Sequence, residues 1–103
     1  DFGSAEDTCR RVQALTAQVC GPLSAESASA SNNLGVQLHC QGKYGAARPL
    51  YNRALSVWEQ QPDARGFHGE VVEVMCNLSR VARACGDLEQ AQAHLKAAIE
   101  KEF

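Results

Sequence analysis

The stretch NNLGVQLHCQGKYGAARPLYNRAL, residues 32–55, contains two amphipathic segments separated by a short turn at Gly42. In the second segment, Tyr44, Ala47, Tyr51 and Ala54 recur at intervals of three, four and three residues, which is the spacing of one helix face. Glycine is the residue that most often follows the end of a helix. The stretch therefore predicts two consecutive helices that fold back on each other.

The same pattern recurs 44 residues later and, in part, 42 residues earlier. Residues 73–86 (EVMCNLSRVARACG) align with residues 29–42 (SASNNLGVQLHCQG), and residues 87–101 (DLEQAQAHLKAAIEK) align with residues 43–57. Residues 1–15 (DFGSAEDTCRRVQAL) match only the second helix of the pair. Tandem units of this length are typical of helical repeat proteins, in which neighbouring units bury each other's apolar faces.

We predict an all-α fold, a right-handed superhelical stack of antiparallel helix pairs, with helices near residues 3–20, 25–41, 44–60, 70–85 and 87 to the end. The first helix of each pair is called A and the second B. Residues 1–21 then form a B-type helix of a preceding partial repeat, residues 22–62 the first repeat and residues 63–103 the second. Ser24 is a predicted N-cap, and Asp87 with Gln90 has the spacing of a capping box.

The apolar stripes predict which side chains form the core. Small residues should allow close approach of the helices: Gly35, Ala47, Ala54, Ala91 and Ala98. Larger side chains should fill the space between them: Leu34, Leu38, Tyr51, Leu55, Leu78, Val81, Leu95 and Ile99.

Composition excludes several classes of function. The chain has 103 residues, 45% of them hydrophobic, and a net charge of −2, which argues against a dedicated nucleic-acid binder. No apolar run approaches the length of about 18 residues that a membrane span needs, so we expect no membrane insertion. Because the chain starts with Asp1, we expect a piece of a longer repeat array.

The five cysteines are Cys9, Cys20, Cys40, Cys76 and Cys85, and no two have C-x-x-C spacing. They lie on or near apolar stripes, so we predict reduced thiols that pack as small hydrophobic groups in a cytoplasmic protein. No metal or other cofactor is predicted. Because the sequence also lacks a phosphate-binding loop and a nucleophile motif, we predict a non-catalytic protein.

The sequence resembles the tetratricopeptide repeat family. The resemblance rests on NNLG (32–35), the glycine that ends helix A, the aromatic residue two positions later, and the A…Y…AL pattern on helix B. Ordinary units have about 34 residues, and the longer period here is closer to repeats of the kinesin light chain type. Residues 67–78 (FHGEVVEVMCNL) resemble the approach between such repeats. The resemblance implies a scaffold or adaptor that mediates protein–protein interaction.

One side of the A helices is the candidate binding surface. At about 100° per residue, an arc away from the core holds Ser29, Asn32, Asn33, Val36 and His39, and its counterpart holds Glu73, Asn77, Arg80 and Arg83. In the family that arc lines a concave groove for an extended peptide. The resemblance implies that Asn33 and Asn77 hydrogen-bond the peptide backbone. Arg80 and Arg83 would favour acidic groups, and kinesin light chain repeats recognise acidic segments that carry a tryptophan.

Other interpretations of these residues remain open. The polar arc fits an ordinary solvated helix face, on which the two arginines pair with Glu70 or Glu73. A second hypothesis is a structural segment that self-associates, a homo-oligomer formed through exposed end helices. A third is a metal or redox sensor that uses the cysteines. The carboxylate clamp of chaperone-binding repeats is disfavoured, because Ser29, Asn32 and Cys76 occupy several of its positions.

Overall fold

The computed structural model describes residues 2–62 and 64–102, with side chains for residues 3–62 and 66–100. It contains five α-helices, α1 (Phe2–Cys20), α2 (Ala25–Cys40), α3 (Tyr44–Glu59), α4 (His68–Ala84) and α5 (Leu88–Glu102). The described ranges contain no strand. The predicted all-α fold is therefore confirmed. Helix α4 begins earlier than predicted because a 3-10 turn, Ala64–Phe67, leads directly into it.

Both A helices end in the same backbone motif. Gly42 and Gly86 adopt positive φ values of 81° and 82°, a conformation that costs glycine little. The Lys43 amide donates to the Leu38 carbonyl at 2.9 Å, and the Asp87 amide donates to the Ala82 carbonyl at 2.8 Å. These bonds span five residues and satisfy carbonyl groups that the helix end leaves free, as in a Schellman motif. The motif turns the chain sharply into the B helix.

The predicted N-caps are also present. The Ser27 amide donates to Ser24 Oγ at 3.1 Å, which starts α2. The Gln90 amide donates to Asp87 Oδ1 at 3.1 Å, which starts α5. Each bond satisfies one of the amides that have no partner within the first turn of a helix.

The helices form two layers. Each helix packs against the helix before it and the helix after it, and contacts between other pairs of helices are few. The A helices α2 and α4 therefore lie in one layer, and the B helices α1, α3 and α5 lie in the other. The molecule measures 34 × 34 × 16 Å along its principal axes. The short dimension matches two helices packed about 8–10 Å apart.

In the middle of the stack, the core contains the residues that the apolar stripes predict. Every predicted small residue is buried, and so are Leu34, Leu38, Tyr51, Leu78 and Val81. Leu55, also predicted for the core, is only half-buried against it. Gly35 permits the closest approach, because a Cβ atom added there would lie 2.9 Å from Cε1 of the buried Tyr51 ring.

The prediction is wrong at the end of the stack. Leu95 and Ile99 were expected in the core, but they are 42% and 52% exposed. The reason is that, among the described residues, α5 packs mainly on α4, whereas the equivalent residues of α3 lie between α2 and α4. At the other end, Val12, Leu15 and Val19 of α1 are also exposed.

The cysteine prediction is wrong in part. All five thiols are free, but Cys20, Cys40 and Cys85 are exposed rather than packed in the core. These three lie at the ends of helices or just beyond them, where the apolar stripe has already left the core. Cys9 and Cys76, within α1 and α4, are half-buried.

Ionic contacts join the B helices α1 and α3 to the next A–B turn. Glu6 of α1 accepts from Gln41 at 2.9 Å and from Lys43 at 3.2 Å, and Arg48 of α3 donates to Asp87 at 3.0 Å. Glu6 and Arg48 are equivalent in the repeat alignment, so the acidic and basic partners are exchanged between the two junctions. Hydrogen bonds from Gln41, Lys43 and Arg10 lower the pKa of Glu6 to about 2. The bond from Arg48 likewise lowers the pKa of Asp87.

Candidate functional site

The predicted arc residues all lie on the A helices α2 and α4. We call this set the A-helix face: Ser29, Asn32, Asn33, Val36, His39, Glu73, Asn77, Arg80 and Arg83. Five of these side chains are exposed and three are half-buried, whereas Asn77 is only 8% exposed. The residues of α2 and the residues of α4 therefore differ in how accessible they are to a ligand.

The two equivalent asparagines have different surroundings. Asn33 is exposed and its amide lies at the surface. Asn77 is nearly buried, and its Oδ1 accepts a hydrogen bond from Arg80 Nη1 at 3.1 Å. In α2 the residue equivalent to Arg80 is Val36, which has no donor group and a shorter side chain. Asn33 thus retains both polar groups of its amide for another molecule, whereas the oxygen of Asn77 is already engaged.

Arg80 and Arg83 carry uncompensated positive charge. Both side chains are exposed, and neither forms an ion pair with any side chain that the structure describes. The expected surface pairs with Glu70 or Glu73 are not found in that part of the chain. An exposed guanidinium without a carboxylate partner is suited to an acidic group supplied by another molecule.

His39 belongs to an aromatic cluster with two tyrosines. Its ring lies edge-on to Tyr44 with a centroid distance of 5.5 Å, and edge-on to Tyr51 with a centroid distance of 6.1 Å. His39 Nδ1 lies 3.2 Å from the Tyr51 hydroxyl, within hydrogen-bonding distance. The imidazole is therefore held in place. His39 is half-buried, and the half-buried Val36 precedes it by one turn on the same side of α2.

The hydroxyl group of Tyr51 lies where α2, α3 and α4 meet. The pKa of Tyr51 is raised to about 12, mainly by burial and less strongly by Cys40 and Glu73, while the charge of Arg80 lowers it. Glu73 and Arg80 of α4 thus act electrostatically on the residue that contacts His39 of α2. The electrostatic environment of the Tyr51 hydroxyl thus includes residues from both halves of the A-helix face.

Arg83 has a different position from Arg80. It lines a pocket of about 130 Å³ together with four residues of α5, namely Leu88, Ala91, Gln92 and Leu95. The two arginines, expected to act as a pair, therefore have different neighbours: Arg80 contacts Asn77, whereas Arg83 borders the surface of α5.

Sequence reasoning missed the contribution of two tyrosines. The sequence predicts Tyr51 as a core residue and Tyr44 only as part of a helix face, yet both rings pack against His39 on the A-helix face. A signal was present in the sequence, because residues 39 and 44 flank the tight turn at Gly42 and must lie close together in an antiparallel pair. Asn32 also differs from expectation, since its Oδ1 is buried and has no hydrogen-bond partner within the described part of the chain.

The described residues contain no group of three or more His, Cys, Asp or Glu side chains arranged to hold a metal ion. Among the helices described, none combines the length and apolar character required to cross a bilayer.

The chain is similar to a known repeat family and to a solved structure. The tetratricopeptide repeat model matches residues 1–60 and again residues 26–101. A solved structure, BtubC (BKLC) from P. vanneervenii, superimposes with a TM-score of 0.93 at 26% sequence identity. The match covers 98% of this chain and 40% of BtubC, so the chain spans less than half the length of that protein. No curated protein sequence matches the chain.

Proposed function

Because the chain belongs to the tetratricopeptide repeat family, with repeats of the kinesin light chain type, we propose that it is a non-catalytic scaffold module that binds an extended, acidic segment of a partner protein on the A-helix face. Tetratricopeptide repeats mediate protein–protein interaction. The finer statement, an acidic peptide on α2 and α4, is our inference from the side chains of this chain.

The observation that carries the proposal is the exposed and unpaired charge of the Arg80 side chain. Its guanidinium is exposed, has no ion-pair partner among the described side chains, and is oriented by one hydrogen bond to Asn77. That bond uses one N–H group and leaves the others free to bind a carboxylate. Because the Asn77–Arg80 contact exists before any ligand arrives, little side-chain freedom is lost on binding.

The neighbouring half of the face supplies complementary contacts. The Asn33 amide can both donate to and accept from a peptide backbone, which gives affinity without demanding a particular side chain. Val36 and His39, both half-buried, follow Asn33 on the same side of α2. We propose that a large apolar residue of the peptide lies there, while an adjacent acidic residue contacts Arg80.

The test uses a short synthetic peptide that carries one tryptophan flanked by aspartates and glutamates. Binding is measured by fluorescence anisotropy, with a comparison peptide in which each acidic residue is replaced by its amide. Arg80→Glu should weaken binding of the acidic peptide about fivefold, because a largely exposed ion pair contributes up to about 1 kcal/mol. Asn33→Ala should weaken binding of both peptides equally.

Arg53→Glu is the matched control, because Arg53 is an exposed arginine on α3, in the B layer. It makes the same change in net charge away from the proposed site. Equal losses for Arg80→Glu and Arg53→Glu would contradict a local contact and indicate only long-range attraction. Circular dichroism must show unchanged melting for all variants, since an unfolded variant would lose binding for another reason.

Self-association is the second candidate function. The observation in its favour is the exposed apolar surface at both ends of the stack, on α1 and on α5. Sedimentation velocity over a wide concentration range separates the two candidates. A chain that stays monomeric throughout contradicts self-association, whereas a dimer that no longer binds the acidic peptide contradicts the scaffold proposal.

We also propose a cytoplasmic location. All five cysteines are unpaired, three of them exposed, and exposed thiols persist in compartments that keep thiols reduced. Finding these residues in disulfide bonds in protein isolated under alkylating conditions would contradict this location.

A further inference from the structure

Helix α4 carries opposite charges at the two ends of its exposed side. Glu70 and Glu73 lie near its start, and Arg80 and Arg83 lie near its end. All four side chains are exposed, and none forms an ion pair with a side chain that the structure describes. The exposed surface of α4 is therefore acidic at one end and basic at the other.

Glu73, Asn77 and Arg80 form one stripe along this side of α4. They follow each other at intervals of four and three residues, which is the spacing of neighbours on a helix face. At a rise of 1.5 Å per residue, Glu73 and Arg80 are about 10 Å apart along the helix axis. Both charges act on the Tyr51 hydroxyl, so both lie within electrostatic reach of one point.

The helix dipole explains only part of this arrangement. Acidic side chains in the first turn and basic side chains in the last turn stabilise a helix, and Glu70 and Arg83 have those positions. The effect falls off within one turn. Glu73 and Arg80 lie further inside α4, so the dipole does not account for their charges.

Asn77 provides hydrogen-bond donors between the two charges. Its side chain is only 8% exposed, and its Oδ1 accepts from Arg80 Nη1. No residue in the described ranges accepts a hydrogen bond from its amide N–H groups, which can therefore donate to a carbonyl oxygen of a bound peptide. The stripe thus presents an acceptor at Glu73, a neutral donor at Asn77 and a charged donor at Arg80.

The first repeat has no charge on the equivalent stripe of α2, which consists of Ser29, Asn33 and Val36. A peptide that lies on both A helices would therefore meet this pair of opposite charges only on α4. The distance of about 10 Å corresponds to about three residues of extended chain, at roughly 3.4 Å per residue. A segment with acidic residues at both points would be attracted by Arg80 and repelled by Glu73.

We propose that the partner segment on α4 is zwitterionic, with an acidic residue at Arg80 and a basic residue three or four positions away at Glu73. This inference rests on the proposed peptide site and adds a second charge requirement to it. Glu73 is then a specificity-determining residue, because it disfavours segments that are acidic throughout.

The probes are three acetylated and amidated synthetic peptides that share one aspartate and one tryptophan. They differ only at the two positions four residues before and four residues after the aspartate, which are both lysine, both glutamine or both glutamate. Because the positions are symmetric, the result does not depend on the direction in which the peptide binds. Fluorescence anisotropy should show the lysine peptide binding most tightly and the glutamate peptide least tightly. Each step should be about twofold to fivefold, as expected for exposed charge pairs.

Substitution of Glu73 tests which residue sets this order. Glu73→Lys should reverse the order of the three peptides, and Glu73→Gln should remove it. Glu89→Lys is the matched control, because Glu89 is an exposed glutamate on α5, in the B layer. It makes the same change in net charge and should leave the order unchanged. Circular dichroism must show unchanged melting for every variant.

The results distinguish this inference from the proposed function. If Arg80→Glu weakens binding of the glutamine peptide but Glu73→Lys leaves the order unchanged, the peptide site stands and the zwitterionic partner is wrong. If Arg80→Glu leaves binding of that peptide unchanged, the proposed function fails and this inference fails with it. A reversal caused equally by Glu89→Lys would indicate long-range attraction and would also overturn the role of Glu73.

Discussion

The contact between Gly35 and the ring of Tyr51 predicts that adding one methyl group will destabilise the protein. A Cβ atom at residue 35 would lie 2.9 Å from Tyr51 Cε1 and 3.0 Å from Cδ1. Carbon atoms in contact prefer about 3.5–4.0 Å. The ring has little freedom to move away, because Tyr51 is buried and its hydroxyl lies 3.2 Å from His39 Nδ1.

The magnitude follows from two opposing effects. Overpacking of a closed core costs about 1–3 kcal/mol. Replacing glycine by alanine within a helix stabilises the folded state by about 1 kcal/mol, because alanine has the higher helix propensity. We therefore expect Gly35→Ala to lower the free energy of unfolding by about 1 kcal/mol. For a chain of this size, that corresponds to a decrease in melting temperature of about 4–8 °C.

The assay is thermal and urea unfolding followed by circular dichroism, with Gly45→Ala as the matched control. Gly45 lies in the first turn of α3, and an added Cβ atom there would have no neighbour within 4 Å. The same substitution should therefore leave stability unchanged or raise it by up to about 1 kcal/mol. If Gly35→Ala stabilises the protein as much as Gly45→Ala does, the argument from ring contact is wrong.

A double-mutant cycle identifies the ring as the cause. The second repeat has Ser79 and Leu95 at the positions of Gly35 and Tyr51, so that pair includes a Cβ atom and a smaller partner. In a Tyr51→Leu background, Gly35→Ala should no longer be destabilising. If Gly35→Ala lowers the free energy of unfolding by the same amount in that background, the added methyl group clashes with a residue other than Tyr51.

Three further predictions concern other contacts. Ser79→Ala should lower the free energy of unfolding by about 1 kcal/mol, because the buried Ser79 Oγ donates to the Ala91 carbonyl at 2.8 Å; an unchanged urea midpoint would contradict this. Since the pKa of Glu6 is lowered from 4.5 to about 2, its ionic contacts stabilise the fold above pH 4.5 and are lost as the pH falls toward 2. Glu6→Gln should therefore flatten the dependence of stability on pH in that window, and an equally steep dependence in both chains would refute the assignment. In the native chain, a thiol reagent should modify Cys20, Cys40 and Cys85 faster than Cys9 and Cys76, as checked by mass spectrometry after short exposure; uniform rates would contradict the burial pattern.

The fold could be predicted from the sequence because the same pattern occurs in both repeats. Period, capping residues and turn glycines all indicate the same five helices, and each is a local property. The exposure of Leu95 and Ile99 was not predictable in the same way. Their spacing is that of core residues, and only the position of α5 at the end of the stack exposes them.

The sequence could assign the candidate site residues to the A helices, but it could not give their surroundings. Helical geometry alone assigned the arc residues to one side of the A helices. The difference between Asn33 and Asn77 depends on a contact between two long side chains, Arg80 and Asn77, which spacing allows but does not require. The role of Arg83 depends on the pocket that it shares with α5, and the size of a pocket cannot be read from a sequence.

The exchanged ion pairs at the two junctions have a consequence for folding errors. Repeats with similar apolar stripes are at risk of docking one unit out of register, since small residues recur at equivalent places. If α1 took the place of α3 against α4, Glu6 would face Asp87, and two carboxylates would oppose each other where Arg48 now neutralises Asp87. Asp87 is thus attracted to its neighbour in the correct arrangement and repelled by it when the helices dock one unit out of register. In this chain, charged side chains therefore favour the correct pairing of helices, which the similar apolar stripes alone would not distinguish from an incorrect pairing.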